Sequence, residues 1–174
     1  MSLWVIPIVL PPVECHIHAD RRLAFEVLTA FGAKQEDGGS SRVLVDEGHR
    51  KLVEFRTPIP TARGGATMYR TVEWVTLREP EEILFEGVEG PLTLLQDRFL
   101  LRDEDGCTAF RYESVIGMGG SVAGWVFAQR RVRARVEKFM IHHVERLKAT
   151  IERRAKQSRV YPFVACAATR GGHP

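Results

Sequence analysis

The segment SVAGWVFAQRRVRARVEKFMIHHVERLKATIERRAKQS, residues 121–158, decides how this chain folds. It holds no proline, and only Gly124 interrupts a run of good helix formers. Val122, Trp125, Val132, Val136, Phe139, Met140, His143, Leu147 and Ile151 recur every three or four residues, tracing one apolar stripe. A helix of about 30 residues spans about 45 Å at 1.5 Å per residue. A domain of this size is about as wide, so the helix is expected to lie across the whole of whatever the rest of the chain builds.

What precedes it reads as sheet. Residues 13–18 alternate, with Val13, Cys15 and Ile17 on one face and Glu14, His16 and His18 on the other, the period of a half-buried strand. Asp20 is placed as a helix N-cap, RRLAFEVLTAF as a short helix, and Gly32 as its end. Five strand-like runs follow: RVLVDEG, KLVEFRTPI, ATMYRTVEWVTL, EEILFEGVEG and PLTLLQDRFLLR. A sixth, CTAFRYESVIGM, comes after the tight DEDG turn. Short connections imply an antiparallel meander, because parallel strands need crossovers of about a dozen residues.

The bulk numbers narrow the class. At 174 residues, 44% hydrophobic and 27% charged, the chain is expected to form one soluble domain. Its formal charge of +3 does not by itself imply a nucleic-acid or membrane partner. Cys15, Cys107 and Cys166 are odd in number and widely spaced, which argues against a disulfide framework or zinc ribbon and suits a cytoplasmic location. The opening WVIPIVLPPV, interrupted by Pro7, Pro11 and Pro12, is too short for a membrane span and lacks a signal-peptide layout. The expected organisation is an extended lead-in over 1–11, a domain over 12–157 and a separate tail over 158–174.

This order of elements resembles the START-like, or polyketide cyclase/dehydrase and lipid transport (SRPBCC), superfamily. The residues that carry the resemblance are VECHIHADRRLAFEVLTAFG, DEDGCTAFRYESVI and FMIHHVERLKATIERRA. Within them Ala19-Asp20, Gly106-Cys107-Thr108, and Leu147-Lys148 with Glu152 stand where that superfamily shows a small or acidic cap, a GxT-like hairpin and an LKxxxE-like helix end. The resemblance implies an α+β helix-grip fold, a curved antiparallel sheet of about seven strands wrapped on one long C-terminal helix. It also implies a cavity between sheet and helix for an apolar small molecule. The helical region before the second strand is short, so a second small helix there is expected to be reduced or missing.

No GxSxG, P-loop, dinucleotide fingerprint or SxxK is present, and no cofactor is expected. His16 and His18 could ligate zinc only with a converging third ligand, and no HExxH or clustered cysteines accompany them, so they read as solvent-facing and no metal is expected. Phe55, Trp74, Phe85, Phe110, Tyr112, Trp125 and Phe139 are candidate cavity wall. Gln129 is either a packed amide or a cavity hydrogen-bonder. His143, on the apolar stripe, is a core histidine or a group able to bond a ligand and move a proton near neutral pH.

Arg70, Glu73, Arg98 and Glu113 lie inside apolar runs, where most charges sit on the wet face. Arg98 is the one whose register could turn it inward: Gln96, Arg98 and Leu100 share one face, and Asp97, Phe99 and Leu101 the other. Residues 121–158 carry ten Lys/Arg and three Asp/Glu, a net +7 that leaves −4 on the remainder. The bland reading of this basic helix is a solvated face, and the sharper one is docking on nucleic acid or a membrane through Arg130, Arg131, Arg133 and Arg135. Three functions follow in order of weight. The first is binding or transport of a lipid, isoprenoid quinone or polyketide-like aromatic. The second is a cyclase, aromatase or dehydratase using His143, Arg98 or Tyr112 in the same cavity. The third is an interaction module, and pairing of two chains is left open.

Overall fold

In the computed structural model, residues 5–33, 38–61, 64–119, 122–161 and 163 are described. The elements run β1 (Ile8–Val9), β2 (Val13–Ile17), α1 (Arg21–Leu28), β3 (Ser40–Asp46), β4 (Arg50–Pro60), β5 (Ala66–Arg78), β6 (Glu82–Glu89), β7 (Leu94–Glu104), β8 (Cys107–Gly117), α2 (Val122–Phe127) and α3 (Arg133–Gln157). All strands join one antiparallel sheet in the order β1-β8-β7-β6-β5-β4-β3, with β2 also on β8. The six-strand meander expected from the sequence is therefore present. The sheet has eight strands rather than about seven, because Ile8 and Val9 of the expected lead-in pair with Ile116 and Val115. Two apolar residues between prolines are too short a run to signal a strand, yet Ile8 is buried at the edge of the core.

The fold is the expected α+β helix-grip. The concave face of the sheet carries Val53, Val75, Ile83, Phe85, Phe99, Leu101, Phe110, Tyr112 and Ile116 against Met140, Val144, Ile151 and Ala155 of α3. The helix is not uniform, since α2 passes through a π-helical turn, Ala128–Val132, before α3 begins. Such a turn inserts one extra residue, and it falls in the half nearest the aromatic end of the core. No second helix occurs between α1 and β3 among the described residues.

The short motifs noted in the sequence meet at one corner. Asp20 accepts from the Arg22 amide at 2.7 Å and caps α1. The buried Thr108 hydroxyl donates to the Ala19 carbonyl at 2.8 Å, and Glu152 accepts the His18 amide at 3.0 Å. Helix α1, hairpin β7–β8 and helix α3 are thus each tied by one hydrogen bond to the turn at residues 18–20. Asp105 and Gly106 hold positive φ in that hairpin turn, where a two-residue link of matching twist requires it.

Cys15 is free, whereas Cys107 is buried and disulfide-bonded. The sequence reading argued against a disulfide framework, and a single bond at Cys107 does not make one. Cys166 and most of the expected tail lie outside the described residues.

Met140 is fully buried beneath the sheet, while Ile141 beside it is about half exposed. Met140→Ala is expected to lower the unfolding free energy by about 2–5 kcal/mol, and Ile141→Ala by about 0.5 kcal/mol or less. Urea titrations of the two variants check the helix register, and equal costs would contradict it.

Candidate functional site

Strand pairing fixes which side chains look at the helix. Val53 pairs with Glu73, Glu73 with Gly87, Phe85 with Asp97, Asp97 with Ser114, and Phe99 with Tyr112. Directly paired residues share a face, so Glu73, Asp97, Tyr112 and Ser114 all join the apolar set on the concave side. Around them runs a chain of edge-to-face rings. Phe31 meets Phe55 at 6.0 Å, Phe55 meets Phe85 at 6.1 Å, Phe85 meets Phe99 at 4.9 Å, and Phe99 meets Tyr112 at 4.8 Å. From the helix, His143 lies 6.4 Å from both Phe99 and Tyr112 and stacks on Phe139 at 5.4 Å.

The polar groups in this aromatic setting are strained electrostatically. Glu73 is 7% exposed. Burial raises its pKa to about 7, with the Asp97 charge adding to the rise and a 2.5 Å hydrogen bond from Thr71 opposing it. Burial likewise lifts Asp97 to about 6. Its Oδ2 accepts from the Tyr112 hydroxyl at 2.9 Å, and Ser114 beside it opposes the rise without reaching hydrogen-bond geometry. Tyr112 is itself pushed well above the ordinary phenol value, first by burial and then by Asp97. Asp97 Oδ1, Ser114 Oγ and Trp125 Nε1 are buried with no hydrogen-bond partner among the described residues. Buried polar groups are nearly always satisfied, so these orphans on the sheet and the helix call for a ligand group or water.

The opposite face shows what the concave face lacks. There Glu14, Arg111, Glu113, Arg98, Glu82 and Arg78 form a continuous ladder of ion pairs. Glu54 is flanked by Arg42, Arg56 and Arg70, and the Arg70 hydrogen bond holds its carboxyl below the usual range. Glu73 and Glu54 thus shift in opposite directions on opposite faces of the same sheet.

Of the residues singled out from sequence, Phe55, Phe85, Phe110, Tyr112, Trp125, Phe139 and His143 belong to this core or pack against it. Gln129 is half-buried in the π turn. Arg98 and Trp74 are corrections. Arg98 pairs with Leu84 and Glu113 on the convex face, where it binds Glu82. Trp74 pairs with Leu52 and Glu86 on that same face, under the Arg50 guanidinium at 4.3 Å. Asp97 and Ser114 were missed. The signal for Asp97 was its alternation with Phe99 and Leu101, the more apolar face of its strand.

The histidines of the first strand divide. His16 faces outward, 3.2 Å from Glu104, while His18 is half-buried and stacks on Phe163 at 5.9 Å. Arg130, Arg131 and Arg135 are exposed, and Arg133 bonds Glu137 at 2.6 Å. No described helix is long and apolar enough to cross a membrane.

A recess of about 450 Å³ lies between α1 and the end of α3, lined by Leu23, Glu26, Arg154, Val160 and Tyr161. Within it Tyr161 and Glu26 already satisfy each other at 3.0 Å. A smaller one, about 30 Å³, lies by the β6–β7 loop, lined by Thr71, Gly87, Glu89, Gly90, Leu92 and Leu95. A side chain at Gly87 would press on Leu95, its Cβ falling 3.0 Å from that of Leu95, so the glycine keeps this cleft open.

Between pH 4.5 and about 7 the folded protein retains a proton on Glu73 that the unfolded chain has released. Stability therefore falls as pH rises through that window, by about 3 kcal/mol at about 1.4 kcal/mol per pKa unit. Glu73→Gln is expected to gain that amount relative to wild type between about pH 4.5 and 8, read from paired urea titrations. A pH-independent difference would contradict the placement of Glu73.

No protein-family model matches the chain, and no curated protein is similar to it. Solved structures are. The Zhui aromatase/cyclase from Streptomyces sp. R1128 aligns at a TM-score of 0.68 and 13% identity, over 87% of this chain and 96% of its own. A Thermus thermophilus protein aligns at 0.64 and 13%, over 83% and 97%. A START superfamily protein from Mycobacterium smegmatis aligns at 0.61 and 13%, over 84% and 99%. With sheet order, gripped helix and near-full-length alignments in agreement, the chain has the helix-grip fold shared with this aromatase/cyclase and this START superfamily protein.

Proposed function

We propose that this protein binds an apolar small molecule between the concave face of the sheet and the α2–α3 helix. The observation that carries this reading is the buried polar row of Asp97, Tyr112 and Ser114, with unsatisfied atoms, set inside a continuous aromatic wall. A ligand site has this make-up: mostly apolar lining with a few convergent polar groups. Apolar ligand area removed from water contributes about 25 cal/mol per Å² at most, so about 200 Å² gives about 5 kcal/mol. A ligand entering between sheet and helix requires half-buried rings such as Phe55 and Phe139 to turn aside. Likeness to a START superfamily protein and to an aromatase/cyclase supports lipids, isoprenoid quinones and polyketide-like aromatics as the classes to try first.

A second reading, a cyclase or dehydratase, is favoured by one fact: Glu73 has a pKa of about 7, the range suited to general acid–base work. Tyr112 and His143 would then orient the reacting group, and Arg98 takes no part from the convex face. Recovery of the bound molecule chemically altered separates this reading from simple carriage.

Trp125→Ala with Phe139→Ala removes two half-buried rings from the helical wall. The double variant is expected to weaken binding of a naphthalene-based fluorescent probe by about tenfold or more, about 1.4 kcal/mol. Unchanged affinity in a folded double variant would remove this wall from the site.

A further inference from the structure

Glu73 and Asp97 stand on strands separated only by β6 and two residues out of line, so their backbones are about 12 Å apart at the usual strand spacing and rise. Phe85 sits directly beside Asp97, and Gly87, two residues along, sits directly beside Glu73. A small cleft lies beside Gly87 toward the β6–β7 loop, lined also by Glu89, Gly90, Leu92 and Leu95, and the Thr71 hydroxyl that bonds Glu73 forms part of its wall. Among the described residues no lysine or arginine compensates either carboxylate, in contrast to every buried glutamate on the convex face. Ser114, 2% exposed and paired with Asp97, adds a hydroxyl with no partner among the described residues on the same wall. Phe85 and Tyr112, in ring contact with Phe99, stand beside Asp97.

A desolvated carboxylate without a counter-ion is costly, and the cost is met by protonation or by a cation. A ligand ammonium would supply the missing charge to both carboxylates, and the aromatic faces would add cation–π attraction. A carboxylate or phosphate ligand would meet two like charges and no basic group. We propose that the concave site takes an apolar molecule bearing a basic amine, its ammonium seated over Gly87 between Glu73 and Asp97. This rests on the reading of the concave face as the ligand site, and adds to it the charge of the ligand.

The test uses three probes with one apolar body: 1-naphthylmethylamine, 1-naphthylmethanol and 1-naphthoate, titrated into the full chain at about pH 8 by calorimetry, where both acids are ionised. The amine is expected to bind about tenfold tighter than the alcohol, and the carboxylate more weakly than either. Asp97→Asn and Glu73→Gln, tested singly, are each expected to remove most of the amine's advantage while leaving the alcohol's affinity unchanged. Glu113→Gln, on the convex face, is expected to leave all three affinities as they are. An alcohol that binds as well as the amine, or an amine advantage that survives both concave-face substitutions, overturns the charge assignment and leaves the apolar site standing. Binding of none of the three overturns the concave site itself, and the assignment with it.

Discussion

The register between β7 and β8 sets the character of both faces of this protein. By placing Asp97 opposite Ser114 and Phe99 opposite Tyr112, it turns one carboxylate into the core and sends its neighbour Arg98 outward to Glu113. A slip of one residue would exchange the two faces, burying Arg98 in the aromatic wall and exposing Phe99 and Leu101. The burial of Phe99, Leu101 and Tyr112 against α3 makes that slip prohibitively costly. The Asp97 carboxylate is turned inward as a consequence, carried there by the hydrophobic residues on either side of it.

The same alternation separates two kinds of electrostatics. On the convex face each buried or half-buried glutamate has an arginine within reach, and the ladder from Glu14 to Arg78 ties five strands together. Such pairs individually contribute little where they are exposed, but they leave no charge uncompensated. On the concave face Glu73 and Asp97 have only hydroxyl partners among the described residues. Keeping these two acids inside costs stability near neutral pH, which is the usual mark of groups retained for binding or chemistry rather than for folding.

Much of this architecture was legible in the sequence. The stripe from Trp125 to Ile151 announced the gripped helix, and the strand-like runs announced seven of the eight strands. The corner motifs were also visible, and the structure gives them a physical role: Thr108, Ala19 and Glu152 fasten the hairpin, the first turn and the helix end to one another. The π turn and the two-residue β1 were not legible, because neither leaves a periodic trace long enough to detect. Of the rings named from sequence, Phe55, Phe85, Phe110, Tyr112 and Trp125 do reach the core, since large rings at strand or helix spacing are buried for their area alone. Arg98 and Trp74 were misplaced because facing depends on register, which is a property of the pairing rather than of one strand. Glu73 was named but read as wet, and Asp97 passed over, because a charge in an apolar strand is ordinarily outside.

The most direct test of the concave site is a side-chain carboxyl ¹³C NMR titration of the protein, alone and saturated with an apolar naphthalene probe. In the free protein two carboxyls should titrate near pH 7 and pH 6, assigned by Glu73→Gln and Asp97→Asn. Both signals should move when the probe binds, while those of Glu54 and Glu82 on the convex face stay in place. Saturation by the probe with Glu73 and Asp97 undisturbed would contradict the placement of the ligand site on the concave face.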